Sequence, residues 1–428
     1  MRQWVFVATV VVAAGGFVPT VCRSAVPSWT LVADAGNGLP SLPTGLGRTH
    51  LASDGANLYV TWENSFHLYP EAVAQVWKAP LATMQFVRMP SAGQALAVIN
   101  GFAKSADGTM VAGGRNAQSG ANNSTLPALE YFDTQRQVWV PSALSGAAGW
   151  PTPFMLSMTS APNGDVWAGA KWSGLYYSKD NGRTFAFVDR DNGAQPAPNL
   201  NATGWVGDLM FLGNRLYTGS EATGLVYSDT PELSQTWLSA DPNFRKATQS
   251  TPTVTTPGLE VGDLGNINAL GAARDGSLIV VGFLSGASYL PGSVWHFDPQ
   301  KLSTSLAANI PTNEFAFQGN GMSHVQTLPN GEMVLCGYHF PDVTHTDPGT
   351  VDDTGGCYRS VDNGASWSVF NQGLAYTDFG PISPDGVPFE TNGSAGGLAL
   401  VGSDLYLALA NGRVYRYRTD HIFADTFE

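Results

Sequence analysis

The chain has 428 residues, with 21 basic and 34 acidic side chains, a net charge of −13 and only 13% charged residues against 49 Gly and 27 Pro. No basic stripe is visible, which argues against nucleic-acid or anionic-membrane partners. No stretch beyond ten residues keeps a helical period, and short alternating apolar runs punctuated by Gly, Asn and Asp recur instead, so an all-β chain is expected.

In chain order, the N-terminus "MRQWVFVATVVVAAGGFV" carries one Arg, an apolar run and then small residues. It reads as a secretory signal peptide spanning 1–24, cleaved after Ser24, because the apolar core is short and broken by Gly. A retained anchor is the alternative. The bulky Val21 argues against a lipoprotein Cys22. An exported mature chain without a membrane span follows, and the segment "PSWTLVAD" (27–34) opens it with one strand that belongs to no hairpin.

From there one phrase returns seven times: an apolar strand, an Asn/Asp/Gly turn, and a strand ending in small residues. The turns fall at Asp54, Asp107, Asn163, Asn214, Asp275, Asn330 and Ser403, with gaps of 53, 56, 51, 61, 55 and 73 residues. Each phrase is a β-hairpin whose turn residues supply positive φ, and most are followed by a second hairpin. Two hairpins per period make a four-stranded antiparallel sheet, the size of a propeller blade. A seven-bladed β-propeller over 25–419 is expected, with six or eight blades as alternatives because the last gap is long. The final unit is one strand short, so the orphan strand at 27–34 is expected to complete it and close the ring.

Two stretches stand out within the repeat: "YYSKDNGRTFAFV" (176–188) and "YRSVDNGASWSVF" (358–370). Both place Ser, Asp, Asn-Gly, a hydroxyl residue and an aromatic at the same spacing. They fall at the turn between third and fourth strands of blades three and six. These stretches resemble the Asp-box (BNR repeat) of the sialidase-like propellers, through Ser178, Asp180, Gly182, Thr184 and Phe185, and through Ser360, Asp362, Gly364, Ser366 and Trp367. "YSDTPELSQTW" (227–237) is a degenerate third copy. The motif's chemistry is local, since carboxylate and hydroxyl bond backbone amides across the turn while Gly takes the left-handed position. In Asp-box families it lies opposite the active site, so the resemblance implies a structural role here. Sialidases also bind their substrate carboxylate with three arginines, one in a motif near the first blade. This chain lacks that motif, which disfavours sialidase activity.

The long connections all belong to the other face of such a propeller, and they are rich in Trp, Tyr, Asn, Asp and Glu with little Lys. Aromatic faces flanked by amides and carboxylates suit sugar rings. Candidate binding residues are Trp62, Trp150, Trp172, Trp205, Tyr289 and Arg115. A hydrolase or lyase needs two facing carboxylates; Asp208, Glu221 and Glu63 are the first candidates, with Asp263 and Glu390 behind them. Asp208 leads, because "GWVGDLMF" puts it at the start of an innermost strand beside Trp205. The plainer alternative is a carboxylate bonded to neighbouring strand amides.

Cys336 and Cys357 end and open two apolar runs flanking a polar connection, and adjacent antiparallel strands would set them opposite each other as a disulfide. That connection carries His339, His345, Asp347 and Asp352, with Asp342 and Asp353, a cluster suited to Ca²⁺ ahead of Zn²⁺ though at no helix-borne metal spacing. No cofactor is otherwise required by any motif. The tail 420–428, "DHIFADTFE", is not blade-like and resembles the "IFxDGFE" ending of exported proteins from Xanthomonas-like bacteria. The function these features favour is an exported, monomeric binding or scaffold module for a glycan. A glycoside hydrolase or polysaccharide lyase working at the channel mouth is the alternative, and a propeller for cell-surface or extracellular protein partners comes third.

Overall fold

The structure is a computed structural model that describes residues 28–40, 49–62, 74–90, 96–116, 128–145, 154–171, 174–188, 206–220, 224–233, 236–240, 264–284, 292–306, 324–336, 357–374, 395–409 and 412–419. The segment 1–24, expected to be a signal peptide, and the tail at 420–428 lie outside the described residues. Among those residues no helix is long and apolar enough to cross a membrane.

Seven antiparallel sheets, taken in chain order, form a seven-bladed β-propeller. The innermost strands are Thr49–Ser53, Leu96–Lys104, Phe154–Ser160, Met210–Leu212, Leu264–Ala272, His324–Thr327 and Ala395–Val401. Each innermost strand runs against that of the next blade, and the seventh runs against the first, so the ring is closed. Apolar cores fill the interfaces between neighbours, one of them spanning the two interfaces of blades 1 to 3. Tyr59, Val76, Phe132, Val111 and Phe185 serve blades 1 to 3, and Trp167 with Val226 serves blades 3 and 4. Trp295 with Tyr217 serves blades 4 and 5, Ile279 with Trp367 blades 5 and 6, Phe370 with Tyr415 blades 6 and 7, and Trp77 with Tyr406 blades 7 and 1. Sheets buried on both faces leave few strand positions for charge, which accounts for the sparse Lys, Arg, Asp and Glu.

Local turn chemistry sets the blades. The first hairpins of blades 2 and 5 turn through Asp107-Gly108 and Asp275-Gly276, where the glycines take φ +86° and +87°. Each Asp accepts the amide two residues on, Thr109 N–H at 2.9 Å and Ser277 N–H at 2.9 Å, an Asx-type bond that pre-forms the turn.

Ring closure follows the expected route. Thr30–Ala33 pairs antiparallel with Val414–Arg418, Leu31 opposite Tyr415, as the fourth strand of blade 7. Trp29, just before it, clamps the seam. Its amide donates to Gln372 O at 2.9 Å and its indole N–H to Phe370 O at 2.9 Å, while its ring packs 5.4 Å from Phe370 and 6.0 Å from Tyr417.

Blade 3 departs from the four-stranded expectation. The chain leaving the outer strand of blade 2 (Val138–Pro141) crosses to blade 3 and adds Ala143–Ser145 as a fifth strand, parallel to Thr184–Phe187. Ser142 Oγ donates to Gly182 O at 2.6 Å and Ala143 N–H to Arg183 O at 2.8 Å. The added strand satisfies carbonyls along an edge that would otherwise be open.

Candidate functional site

In this topology the first-to-second and third-to-fourth strand turns share one face, here the lower. The second-to-third connections and those between blades share the upper face. The two "DNG" stretches occupy the lower face. In blade 3, Ser178 Oγ donates to Asp180 Oδ1 at 2.8 Å and accepts Gly182 N–H at 2.9 Å, while Asp180 Oδ1 also accepts Thr184 N–H at 2.8 Å. Blade 6 repeats the set: Ser360 to Asp362 at 2.8 Å, Gly364 N–H to Ser360 at 2.8 Å and Ser366 N–H to Asp362 at 2.9 Å. Burial works against ionisation of both aspartates, but the bonds from residues 184 and 178, or 366 and 360, outweigh it and hold each carboxyl below its ordinary range. Each turn also wedges against the preceding blade. A Cβ on Gly182 (φ +82°) would stand 2.4 Å from Val111 Cγ2 of blade 2, and one on Gly364 (φ +83°) would stand 2.0 Å from Ile279 Cδ1 of blade 5. Phe185 and Trp367 are buried in the same seams. The expanded turn of blade 4 keeps part of this logic, with Thr230 N–H donating to Ser228 Oγ at 3.1 Å, Ser228 and Thr236 hydroxyls 2.6 Å apart, and Trp237 buried.

Around the channel, polar side chains of the innermost strands bond to the backbone of the neighbouring blade. Asn100 Nδ2 donates to Met155 O at 2.7 Å (blade 2 to 3) and Ser157 Oγ to Gly207 O at 2.6 Å (blade 3 to 4). Thr327 Oγ1 of blade 6 donates to Ala272 O of blade 5. Asp208 belongs to this belt. One carboxylate oxygen accepts its neighbour Leu209 N–H at 2.9 Å, and the other accepts Leu270 N–H of blade 5 at 2.8 Å. Its amide donates to Ile267 O at 3.1 Å, and its carbonyl accepts Thr218 Oγ1 at 2.9 Å. Gly207, before it, packs so tightly that a Cβ would stand 2.2 Å from Ile267 O. Burial raises the Asp208 carboxyl to about 6, an effect the Leu270 and Leu209 amides only partly offset.

A second buried carboxyl lies where the sequence singled out nothing. Glu130, on the third strand of blade 2 (Leu129–Asp133), is 4% exposed, and burial pushes it up to about 8. Its signal in the sequence is a Glu between Ala128 and Phe132 on the side of a strand that is otherwise apolar.

Of the other candidates, Arg115 stands exposed near the upper end of the second strand of blade 2 (Met110–Asn116), and Trp62 ends the second strand of blade 1 (Asn57–Trp62). Glu63, Glu221, Asp263, Glu390, Trp150, Trp172, Trp205, Tyr289, His339, His345, Asp347 and Asp352 lie outside the described residues. Within the described residues no group of three or more His, Cys, Asp or Glu is placed to hold a metal ion. Cys336 and Cys357 face each other in register across the second and third strands of blade 6 and form a disulfide, with Cα atoms 4.1 Å apart. It closes the 337–356 connection at its base and is compatible with an extracellular protein.

These features define a seven-bladed, all-β propeller whose channel is stapled from blade to blade. No family model matches the sequence, and no curated protein does either. Among solved structures, the chain is similar to the GH74 xyloglucanase from Xanthomonas campestris, at 16% identity and a TM-score of 0.52, over 92% of this chain and 53% of that one. It thus spans about half of the xyloglucanase. It is also similar to YCF48 bound to D1 peptide (12% identity, TM-score 0.51, 92% and 96% of the two chains). The WD40 propeller domain of Doa1 is a third neighbour (12%, 0.51, 92% and 97%). At such identities the likeness establishes the fold alone.

Proposed function

We propose that the protein is an exported propeller of the Asp-box type that acts as a binding or scaffold module, with a glycan as its ligand class. The observation that carries the choice of module over enzyme is the state of Asp208. Both of its oxygens accept backbone amides, one of them from the next blade, so each oxygen is already engaged in holding strands rather than standing free for acid–base work. The glycan assignment draws on the upper-face connections, whose Trp, Tyr, Asn and carboxylate content suits the apolar faces and hydroxyl edges of sugars. The apolar leader and the disulfide support export. The bond sets at Asp180 and Asp362 support the Asp-box assignment.

A glycan-array screen of the mature chain, followed by reducing-end assays on every hit, tests this. Binding without turnover, retained in Asp208→Asn, is the expected result. Turnover lost in Glu63→Gln or Glu221→Gln would establish the hydrolase alternative. Failure to retain any glycan would move the upper face to protein partners.

A further inference from the structure

The seam between blades 1 and 2 holds oxygens that have no place in a plain apolar core. Lys78 fixes how the two blades stand against each other, since its ammonium lies 5.3 Å from the Phe132 ring centroid of blade 2 and 5.6 Å from that of Tyr59 in its own blade. Two residues back on the same side of each third strand stand Val76 and Glu130. Val76 pairs across its sheet with Thr61, and Thr61 with His50. Glu130 pairs with Ala112, and Ala112 with Phe102. The His50–Thr61–Val76 row of blade 1 therefore faces the Phe102–Ala112–Glu130 row of blade 2. Thr61 is 1% and Glu130 4% exposed, and neither Thr61 Oγ1 nor Glu130 Oε1 has a hydrogen-bond partner among the described residues. Two buried oxygens left in this way on facing rows are the pattern that ordered internal water satisfies in folded proteins.

We infer that Glu130 and Thr61 bracket a buried hydration site in the seam between blades 1 and 2, and that the seam closes only over the neutral carboxyl. The titratable and charged groups facing it are His50 on the innermost strand of blade 1, Tyr59 on the second and Lys78 on the third, with Lys104 at the lower end of the innermost strand of blade 2. Lys78 is engaged with two rings, and Lys104 Nζ donates to Asp54 O at 3.4 Å. Neither lies in the Glu130 row. An ionised Glu130 thus has no cation in its own row, and relief comes from admitting more water. The seam carries the ends of two upper-face connections, because blade 1's second strand ends at Trp62 and Glu130 lies beside the start of blade 2's third. Ionisation consequently loosens the strand ends at Trp62 and Leu129. The burial-raised titration near 8 sets the range in which this happens, with the protonated, closed form below it.

The test is amide exchange on the full chain, corrected for intrinsic rates, over peptides covering 75–80 and 129–133 at pH 6 and pH 9.5. In the wild type, protection is expected to fall at least tenfold between the two. In Glu130→Gln it stays within twofold, because the amide carries the neutral group's polarity at every pH. Glu130→Leu serves as a second pH-insensitive variant should the amide fold poorly. A crystal structure at pH 6 should show solvent bonded to both Glu130 and Thr61. Unchanged protection in the wild type, an equal loss in Glu130→Gln, or a protein side chain in place of that solvent would each overturn the inference.

Discussion

Gly182→Ala separates the two roles assigned to the twinned turns, local fold and wedge between blades. Gly182 and Gly108 have nearly the same backbone, φ +82° and +86°, so either Ala variant carries the left-handed strain of an L-residue, about 1 kcal/mol. Their surroundings differ. No atom comes within 4 Å of a Cβ on Gly108, whereas one on Gly182 meets Val111 Cγ2 at 2.4 Å and Cγ1 at 3.2 Å. Val111 is fully buried in a blade 2 strand and, being β-branched, has little rotamer freedom to yield. Overpacking of this kind adds about 1–3 kcal/mol. Urea unfolding should give a loss of about 1 kcal/mol for Gly108→Ala and about 2–4 kcal/mol for Gly182→Ala. Val111→Ala removes both clashing methyls and leaves its Cβ at ordinary contact distance. The double variant Gly182→Ala/Val111→Ala should therefore be less destabilised than the sum of its parts by about 1–2 kcal/mol. Equal losses at the two glycines, or additivity within about 0.5 kcal/mol, would refute the wedge and leave the motif a turn and nothing more.

Replacing Cys336 and Cys357 together by Ala opens a closure of 21 residues and should cost about 3 kcal/mol on the chain-entropy estimate, read as a lower urea midpoint with a slope that rises as the unfolded chain expands. Trp29→Ala removes the clamp on the closing strand and should cost about 3–5 kcal/mol, with blade 7 losing amide protection before the rest. Asp208 binds its proton more tightly in the folded chain (about 6) than at its ordinary 3.8. Its contribution is thus complete below about pH 4 and is lost as pH rises through 6, by up to about 3 kcal/mol. In Asp208→Asn that limb of the stability–pH curve should vanish, because the amide stays neutral across the range.

Features written in consecutive residues were legible in the sequence. The Asx-Gly hairpins, the "DNG" turns and the unpaired strand at 27–34 each show within about a dozen residues, and together they located the blades and the closure. The blade-to-blade bonds were not legible. Asn100 reaches a partner 55 residues away, Ser157 one 50 away and Asp208 one 62 away. Those separations are the blade period itself, but a polar residue on an inner strand looks the same whether it points at a neighbour or at a ligand. Asp208 stands out in the sequence for its place at an inner strand end, and that place is what brings it against Leu270. Glu130 was hidden for the opposite reason, since a single carboxyl in an apolar alternation gives no spacing to recognise. The parallel strand at Ala143–Ser145 has three residues and no alternation of its own, and its pairing depends on a blade that begins later in the chain.

The lower and upper faces are therefore held by different kinds of constraint. On the lower face, the Asx-Gly and "DNG" turns satisfy their own backbone, and Gly182 and Gly364 admit no side chain because the preceding blade is already there. That face has little freedom to acquire a ligand without losing a blade contact. Around the channel, Asn100, Ser157, Asp208 and Thr327 tie neighbouring blades together, with Asp208 at an upper strand end, and the disulfide fixes the base of one upper-face connection. For the proposed binding role, the ligand is therefore to be sought among residues whose substitution leaves the unfolding midpoint unchanged.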